Sequence, residues 1–315
     1  MKKSLLFLLM LFFSVTVFCQ QQQQFTQNMF NHLAINPGYA GSKEAICGTL
    51  LARQQWLGFK DAQGNKGWPQ TNQISIDAPI SFLHGGAGIT IFQDELGLEK
   101  NISFALSYAY RLSAGPGTLG IGAQVYFLNK DYNFGKFVYI DQGDPVLNSV
   151  DELGNIGTDF TFGLYYKIPN KLYFGVSSSQ LSQPEINFSP TTAATKLSRH
   201  YYVSGGYYFP IPGNPSFELD PSILIKSDFS STQFDVNMLL KYNNQFWGGV
   251  SYRPTDAVAL LIGMNWKSFH IGYSYDITTS DIKSYSSGSH ELMIGYCFKL
   301  TQEFKPESYR NPRFL

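Results

Sequence analysis

The sequence predicts an all-β chain, a transmembrane antiparallel up-and-down β-barrel of about 14 strands and of outer-membrane type. The first observation is a two-residue rhythm over residues 233–276. Phe234, Val236, Met238, Leu240 and Tyr242 alternate with Gln233, Asp235, Asn237, Leu239 and Lys241. The rhythm returns in Phe246–Tyr252, Val258–Met264 and Phe269–Tyr275, and strands over 232–242, 245–253, 257–265 and 268–276 leave only two or three residues between them, as in a meander of hairpins. The second is the identity of the faces. One is aliphatic or aromatic almost throughout, and the other is Gly, Ser, Asn, Asp, Lys and His. A soluble sandwich or lipocalin-like barrel also alternates, but a membrane barrel turns its apolar face to lipid and its polar face to a lumen. The third is that no apolar run after the N-terminus approaches the ~18 residues of a membrane helix, so a membrane crossing has to be made by strands.

In chain order, Met1-Lys2-Lys3 followed by the apolar run Leu5 to Phe18 has the layout of a secretory signal peptide, 1–19, with Val17-Phe18-Cys19 as the cleavage site. A lipid-modified Cys19 is the rival reading, and bulky Phe18 disfavours it. Residues 20–44 read as an aromatic and Asn-rich periplasmic lead-in, broken by Pro37-Gly38. The barrel spans 45–300, and a periplasmic tail follows at 301–315.

Strands are expected at 45–53, 71–78, 86–94, 101–111, 117–129, 157–167, 171–179, 200–209, 216–226, 232–242, 245–253, 257–265, 268–276 and 290–300. Long connections, 54–70, 130–156, 180–199 and 277–289, all fall on odd-numbered links, whereas every even-numbered link is short. Outer-membrane barrels alternate short periplasmic turns with longer outside loops, so this parity puts both chain ends in the periplasm. The lipid-facing series is cleanest in Ile102, Phe104, Leu106, Tyr108 and Tyr110, with Ser107 and His270 expected inward and Ile271 outward. The first strand alternates poorly. Pro221 interrupts the ninth, where a missing ladder donor predicts a bulge.

Charges cancel at 23 basic and 23 acidic residues, which removes an electrostatic case for nucleic acid. A charged fraction of 15%, an aromatic fraction of 16% and 29 glycines suit a barrel with aromatic girdles. Cys47 and Cys297 remain after signal cleavage, far apart in sequence; separate thiols are the expectation, and a single disulfide across the barrel seam is the other reading.

No catalytic motif emerges, and no cofactor is implied. The five histidines, His32, His84, His200, His270 and His290, have no ligand spacing to another His, Cys or carboxylate. Asp94-Glu95 with Glu99 reads as a solvated loop tip, and Gly85-Gly86-Ala87-Gly88 as a turn without the helix a phosphate cradle needs. The inward series Glu218, Asp220, Lys226, Asp235, Asn237, Lys241, Glu291 and Lys299 carries mixed charge. These residues either brace the interior or line a cavity that receives part of a partner protein. In the tail, Phe304, Tyr309, Arg310, Arg313 and Phe314 are candidates for periplasmic docking, together with the lead-in.

Gln27-Asn28-Met29-Phe30-Asn31, Ile35-Asn36-Pro37-Gly38-Tyr39-Ala40-Gly41-Ser42, Arg53-Gln54-Gln55-Trp56-Leu57-Gly58-Phe59, Pro69-Gln70-Thr71 and Tyr309-Arg310-Asn311-Pro312-Arg313-Phe314-Leu315 together resemble the PorP/SprF family of type IX secretion outer-membrane proteins of Bacteroidota. Gly38 stands where the INPAYAG pattern usually has alanine. The resemblance implies a non-enzymatic outer-membrane barrel that helps export or anchor a secreted cargo protein, in some species an adhesin of gliding motility. It implies as partners outer-membrane lipid, the cargo, a periplasmic ring of lipoproteins and a peptidoglycan-binding OmpA-like protein. It supplies no residue-level site. The alternatives are a solute or hydrophobic-compound channel and a barrel lipid hydrolase.

Overall fold

The computed structural model describes residues 22–60, 64, 66–133, 152–187 and 194–299. The expected signal peptide and the tail, with all five of its candidate residues, lie outside that range. Fourteen strands form the barrel: β1 (Ile46–Gln54), β2 (Gln70–Ile80), β3 (Gly85–Leu96), β4 (Glu99–Ala114), β5 (Gly117–Asn133), β6 (Glu152–Ile168), β7 (Leu172–Ser179), β8 (His200–Tyr207), β9 (Phe217–Ser227), β10 (Thr232–Tyr242), β11 (Phe246–Arg253), β12 (Ala257–Trp266), β13 (Phe269–Thr278) and β14 (Ser289–Phe298). Each pairs antiparallel with its sequence neighbours, and β1 pairs with β14 to close the circle. No described helix is long and apolar enough to cross a membrane, so the crossing belongs to the strands.

The alternation read from sequence is the alternation of the wall. Leu106 and Tyr110 are exposed while Ser107 and Ala109 are buried, and the same phase runs through Phe234 to Tyr242 and Phe269 to Ile277. Short links close with residues that tolerate left-handed backbone: Asn243 and Asn244 have φ of 49° and 55°, and Gly115 has 58°. Such φ values fit the primed hairpin turns that match strand twist. Long and short links keep the expected parity, with 55–69, 180–199 and 279–288 on one side.

Three expectations are corrected. Pro221 makes no bulge: β9 pairs with β10 in unbroken register from Phe217–Tyr242 to Ser227–Thr232. Its effect falls on the β8 side, where the ladder stops after Gly206–Ser222 and resumes at Phe209–Leu219 in the same register. Cys47 and Cys297 are not separate thiols. They are register partners across the β1–β14 seam, with Cα atoms 4.1 Å apart, and form a disulfide. The 250-residue separation in sequence conceals a neighbourhood that barrel closure creates. Finally, the lead-in expected in the periplasm is not outside the barrel. It packs inside it.

That last point also explains the poor alternation of β1. Leu51 is an apolar residue on the inward face, and it is fully buried in a cluster with Phe92 and the lead-in residue Phe25. An interior filled with protein accepts apolar side chains that a watery lumen would not.

Candidate functional site

The site is the seat of the lead-in within the barrel. From Gln24 to Ser42 most of the segment is buried, and it advances through three single 3-10 turns, Asn28–Phe30, His32–Ala34 and Pro37–Tyr39. Short turns suit a segment whose backbone donors and acceptors must be satisfied within a few residues or by the wall.

At one end the wall supplies charge. Glu291 on β14 accepts the backbone N–H of Thr26 and that of Gln27, each at 2.8 Å. The Thr26 hydroxyl lies 2.8 Å from Asp276 on β13 and accepts from the Arg53 guanidinium at 2.9 Å. Arg53, on β1, spans both carboxylates, at 2.8 Å from Asp276 and 3.1 Å from Glu291. Arg253 extends the network, at 2.6 Å from Asp235, 3.0 Å from Asp256 and 3.5 Å from Asp276. Desolvated charges persist only when paired and hydrogen-bonded, and here each carboxylate has a guanidinium.

At the other end the wall supplies glycine. The Asn36 side chain caps the third turn by accepting from Gly38 N at 2.9 Å, and it donates to Leu164 O at 2.9 Å and Val176 O at 3.3 Å. Gly38 lies against β5 and β6 so closely that an added Cβ would sit 2.8 Å from Gly120 O, 2.9 Å from Tyr165 N and 3.0 Å from Gly163 O. The alanine usual in the pattern would therefore need the backbone to shift here. Between the two ends, Phe30 packs on Trp247 and His270 at centroid distances of 4.8 and 4.4 Å. His32 sits among Tyr39, Tyr165 and Tyr173. Burial, with Lys43 and Lys167 nearby, pushes the His32 imidazole of the lead-in down to about 3, so it stays neutral in this aromatic nest.

The candidate inward residues divide. Glu291, Asp235 and Asn237 touch or brace the lead-in, Asn237 donating to the Asn28 side-chain oxygen at 3.3 Å. Glu218, Asp220 and Lys241 form a separate group, with Lys241 bonded to Asp220 and 3.1 Å from Glu218. Lys226 is half-buried on β9, within reach of the charges of Asp235 and Arg253, and Lys299 is exposed one residue beyond β14. Thr26, Asn36, Arg53, Arg253 and Asp276 also belong to the seat of the lead-in, and strand reading missed them. Inward phase was the available signal for Arg53 and Asp276, and nothing local marked Thr26. Asp94 and Glu99, read as a solvated loop tip, instead lie on β3 and β4 and are engaged, Glu99 with Lys130 at 2.6 Å and Asp94 with Thr71 at 2.5 Å. Among the described residues no group of three or more His, Cys, Asp or Glu is placed to hold a metal ion.

Residues 17–296 match the family described as the type IX secretion system membrane protein PorP/SprF. The chain belongs to the PorP/SprF family. No curated protein is a significant match to it. Among solved structures it is similar to the CymD monoaromatic hydrocarbon channel, at 11% identity and a TM-score of 0.50 over 88% of this chain and 93% of that one. It is also similar to the Ralstonia pickettii toluene transporter TbuX, at 12% identity and 0.49 over 84% and 92%. The outer-membrane protein Omp33 of Acinetobacter baumannii matches at 7% identity and 0.44 over 81% and 99%. At such identities the likeness shows the outer-membrane barrel fold alone. Membership in PorP/SprF gives the chain an outer-membrane role in type IX secretion, in a family of secretion or channel membrane proteins rather than a known enzyme class. Two segments that carried the resemblance acquire a physical role here: Asn36 and Gly38 wedge the lead-in into the wall, and Arg53 holds its other end.

Proposed function

We propose that this PorP/SprF protein is a plugged, non-enzymatic scaffold that helps export or anchor an adhesin-type cargo at the cell surface, in the service of gliding motility where the cell glides. What supports the reading is the filled lumen. A channel spends its interior on a water path, whereas this interior is occupied by the chain's own residues 24–42, held by a buried ionic network and by glycine contacts. The C-terminal end of the barrel lies on the periplasmic side, where the tail residues Phe304, Tyr309, Arg310, Arg313 and Phe314 dock a secretion or peptidoglycan-linked component, whereas Gln24, bonded to Asp256 in the odd-numbered link 254–256, reaches the opposite mouth. The odd-numbered connections face outward toward cargo.

The test is co-purification from the native membrane with identification of bound chains, beside a variant truncated after Leu300. A cargo and a periplasmic partner should accompany the full chain, and the truncated barrel should reach the outer membrane and lose the periplasmic partner. Purified protein that passes ions in planar bilayers at pore-like conductance, with no partner retained, would make it a solute channel instead.

A further inference from the structure

The break between β8 and β9 is more than a missing pair of hydrogen bonds. Tyr207 and Tyr208 stand opposite Pro221 and Asp220 with no ladder between them. The Tyr208 N–H belongs to the β7 side of the strand, donating to Lys171 O at 2.8 Å, and Pro221 has no N–H to offer. On the outer side of the break lies an open groove of about 470 Å3 lined by Leu172, Gly205, Ile223, Val236 and Met238. Its floor reaches Tyr173, which is 6% exposed and belongs to the interior cluster. On the inner side lies a chamber of about 60 Å3 between Met29 and Phe30 of the lead-in and Leu239 and Lys241 of β10. Groove and chamber share Tyr173, Tyr207, Pro221 and Ser222, so the wall is thinned to these residues. Asp220 lines the chamber, is 7% exposed, and its Oδ1 has no hydrogen-bond partner.

We propose that this break is a slot for one acyl chain of a membrane amphiphile whose hydrogen-donating head reaches Asp220. The occupant follows from the surroundings. Ile223, Val236 and Met238 belong to the lipid-facing belt, so bilayer acyl chains are what meet the mouth of the groove. The chamber selects the head. Lys241 is already engaged by Asp220 and Glu218, so an anionic head would meet two carboxylates and one committed ammonium. An ammonium or hydroxyl would give Asp220 Oδ1 the donor it lacks. Gly205 keeps the groove open. A Cβ there meets Tyr173 O and Phe174 Cδ2 at 3.7 and 3.8 Å, ordinary contact, so a larger side chain fills the groove without disturbing the strand.

The test reconstitutes the full chain in nanodiscs with phospholipids bearing a photoactivatable acyl chain, in ethanolamine, glycerol and choline head-group series. The expected result is crosslinking to Tyr173 and Tyr208, several-fold stronger with the ethanolamine head than with choline, which has no donor, or with the glycerol head, whose phospholipid is net anionic. Gly205→Phe should abolish most of that interior labelling while labelling of lipid-facing Leu106 and Tyr110 stays unchanged. Labelling confined to lipid-facing residues in the unmodified chain, or interior labelling indifferent to Gly205→Phe, overturns the slot. Equal interior yields from all three heads overturn the contact with Asp220.

Discussion

Arg53 on β1 and Asp276 on β13 meet at 2.8 Å across the intervening strand β14, with 2% and 1% of their side chains exposed. Arg53→Met should therefore cost about 3 to 5 kcal/mol, because Asp276 and Glu291 lose their shared guanidinium while still buried. Arg253, 3.5 Å from Asp276, remains as partial compensation. The check is the temperature at which the folded, heat-modifiable band is lost on gels, together with release of residues 22–44 to protease. An unchanged transition would mean that the ionic network does not hold the lead-in.

Gly122→Val should expel the lead-in and spare the barrel. A Cβ at this position on β5 runs into the backbone of Pro37 and Gly38, which cannot swing aside as a side-chain tip can. Limited proteolysis of the heat-modifiable form should show cleavage within residues 30–44, with higher conductance in bilayers. A protected lead-in in this variant would contradict the seating.

Leu106→Arg should destabilise the barrel by roughly 2 to 4 kcal/mol, since it places a charge on the lipid face. His270→Arg acts elsewhere. His270 is inward but stacked on Trp247 at 5.5 Å and packed on Phe30, so an arginine there should dislodge the lead-in rather than weaken the wall. Denaturant unfolding in lipid reads the first effect, and protease access to the lead-in reads the second. Equal unfolding free energies for the two variants would sink the assigned faces.

These outcomes also mark what a linear reading reaches. The number of strands, their faces and the parity of the links were legible because each rests on local alternation and on turn residues such as Asn243-Asn244. The seam disulfide was not, because the adjacency of Cys47 and Cys297 exists only once β1 meets β14. Nor was the position of the lead-in. Pro37 and Gly38 look like a loop in any window, and only the glycines facing them at 120, 122 and 163 make a socket. Arg53, Asp276 and Glu291 are separated by more than 200 residues in part, so their network is a product of closure rather than of spacing.

Cys47→Ser should lower stability by roughly 5 kcal/mol on the chain-entropy relation for a link spanning 250 residues. Heat-modifiability with and without reductant measures it. The unmodified protein should show a lower transition under reductant, and the variant should show no difference.

The same disulfide turns residues 47–297 into a covalent hoop, and the chain's own N-terminal segment is threaded through it. A needle inside such a hoop can be withdrawn only along the barrel axis, through one mouth or the other; it has no route sideways between the first and last strands. Threading must therefore be compatible with the order of assembly, since once the hoop is locked the seam cannot part to admit the segment. A partner that pulls the lead-in free would have to act along that axis, and one that enters between the first and last strands would meet a covalent lock.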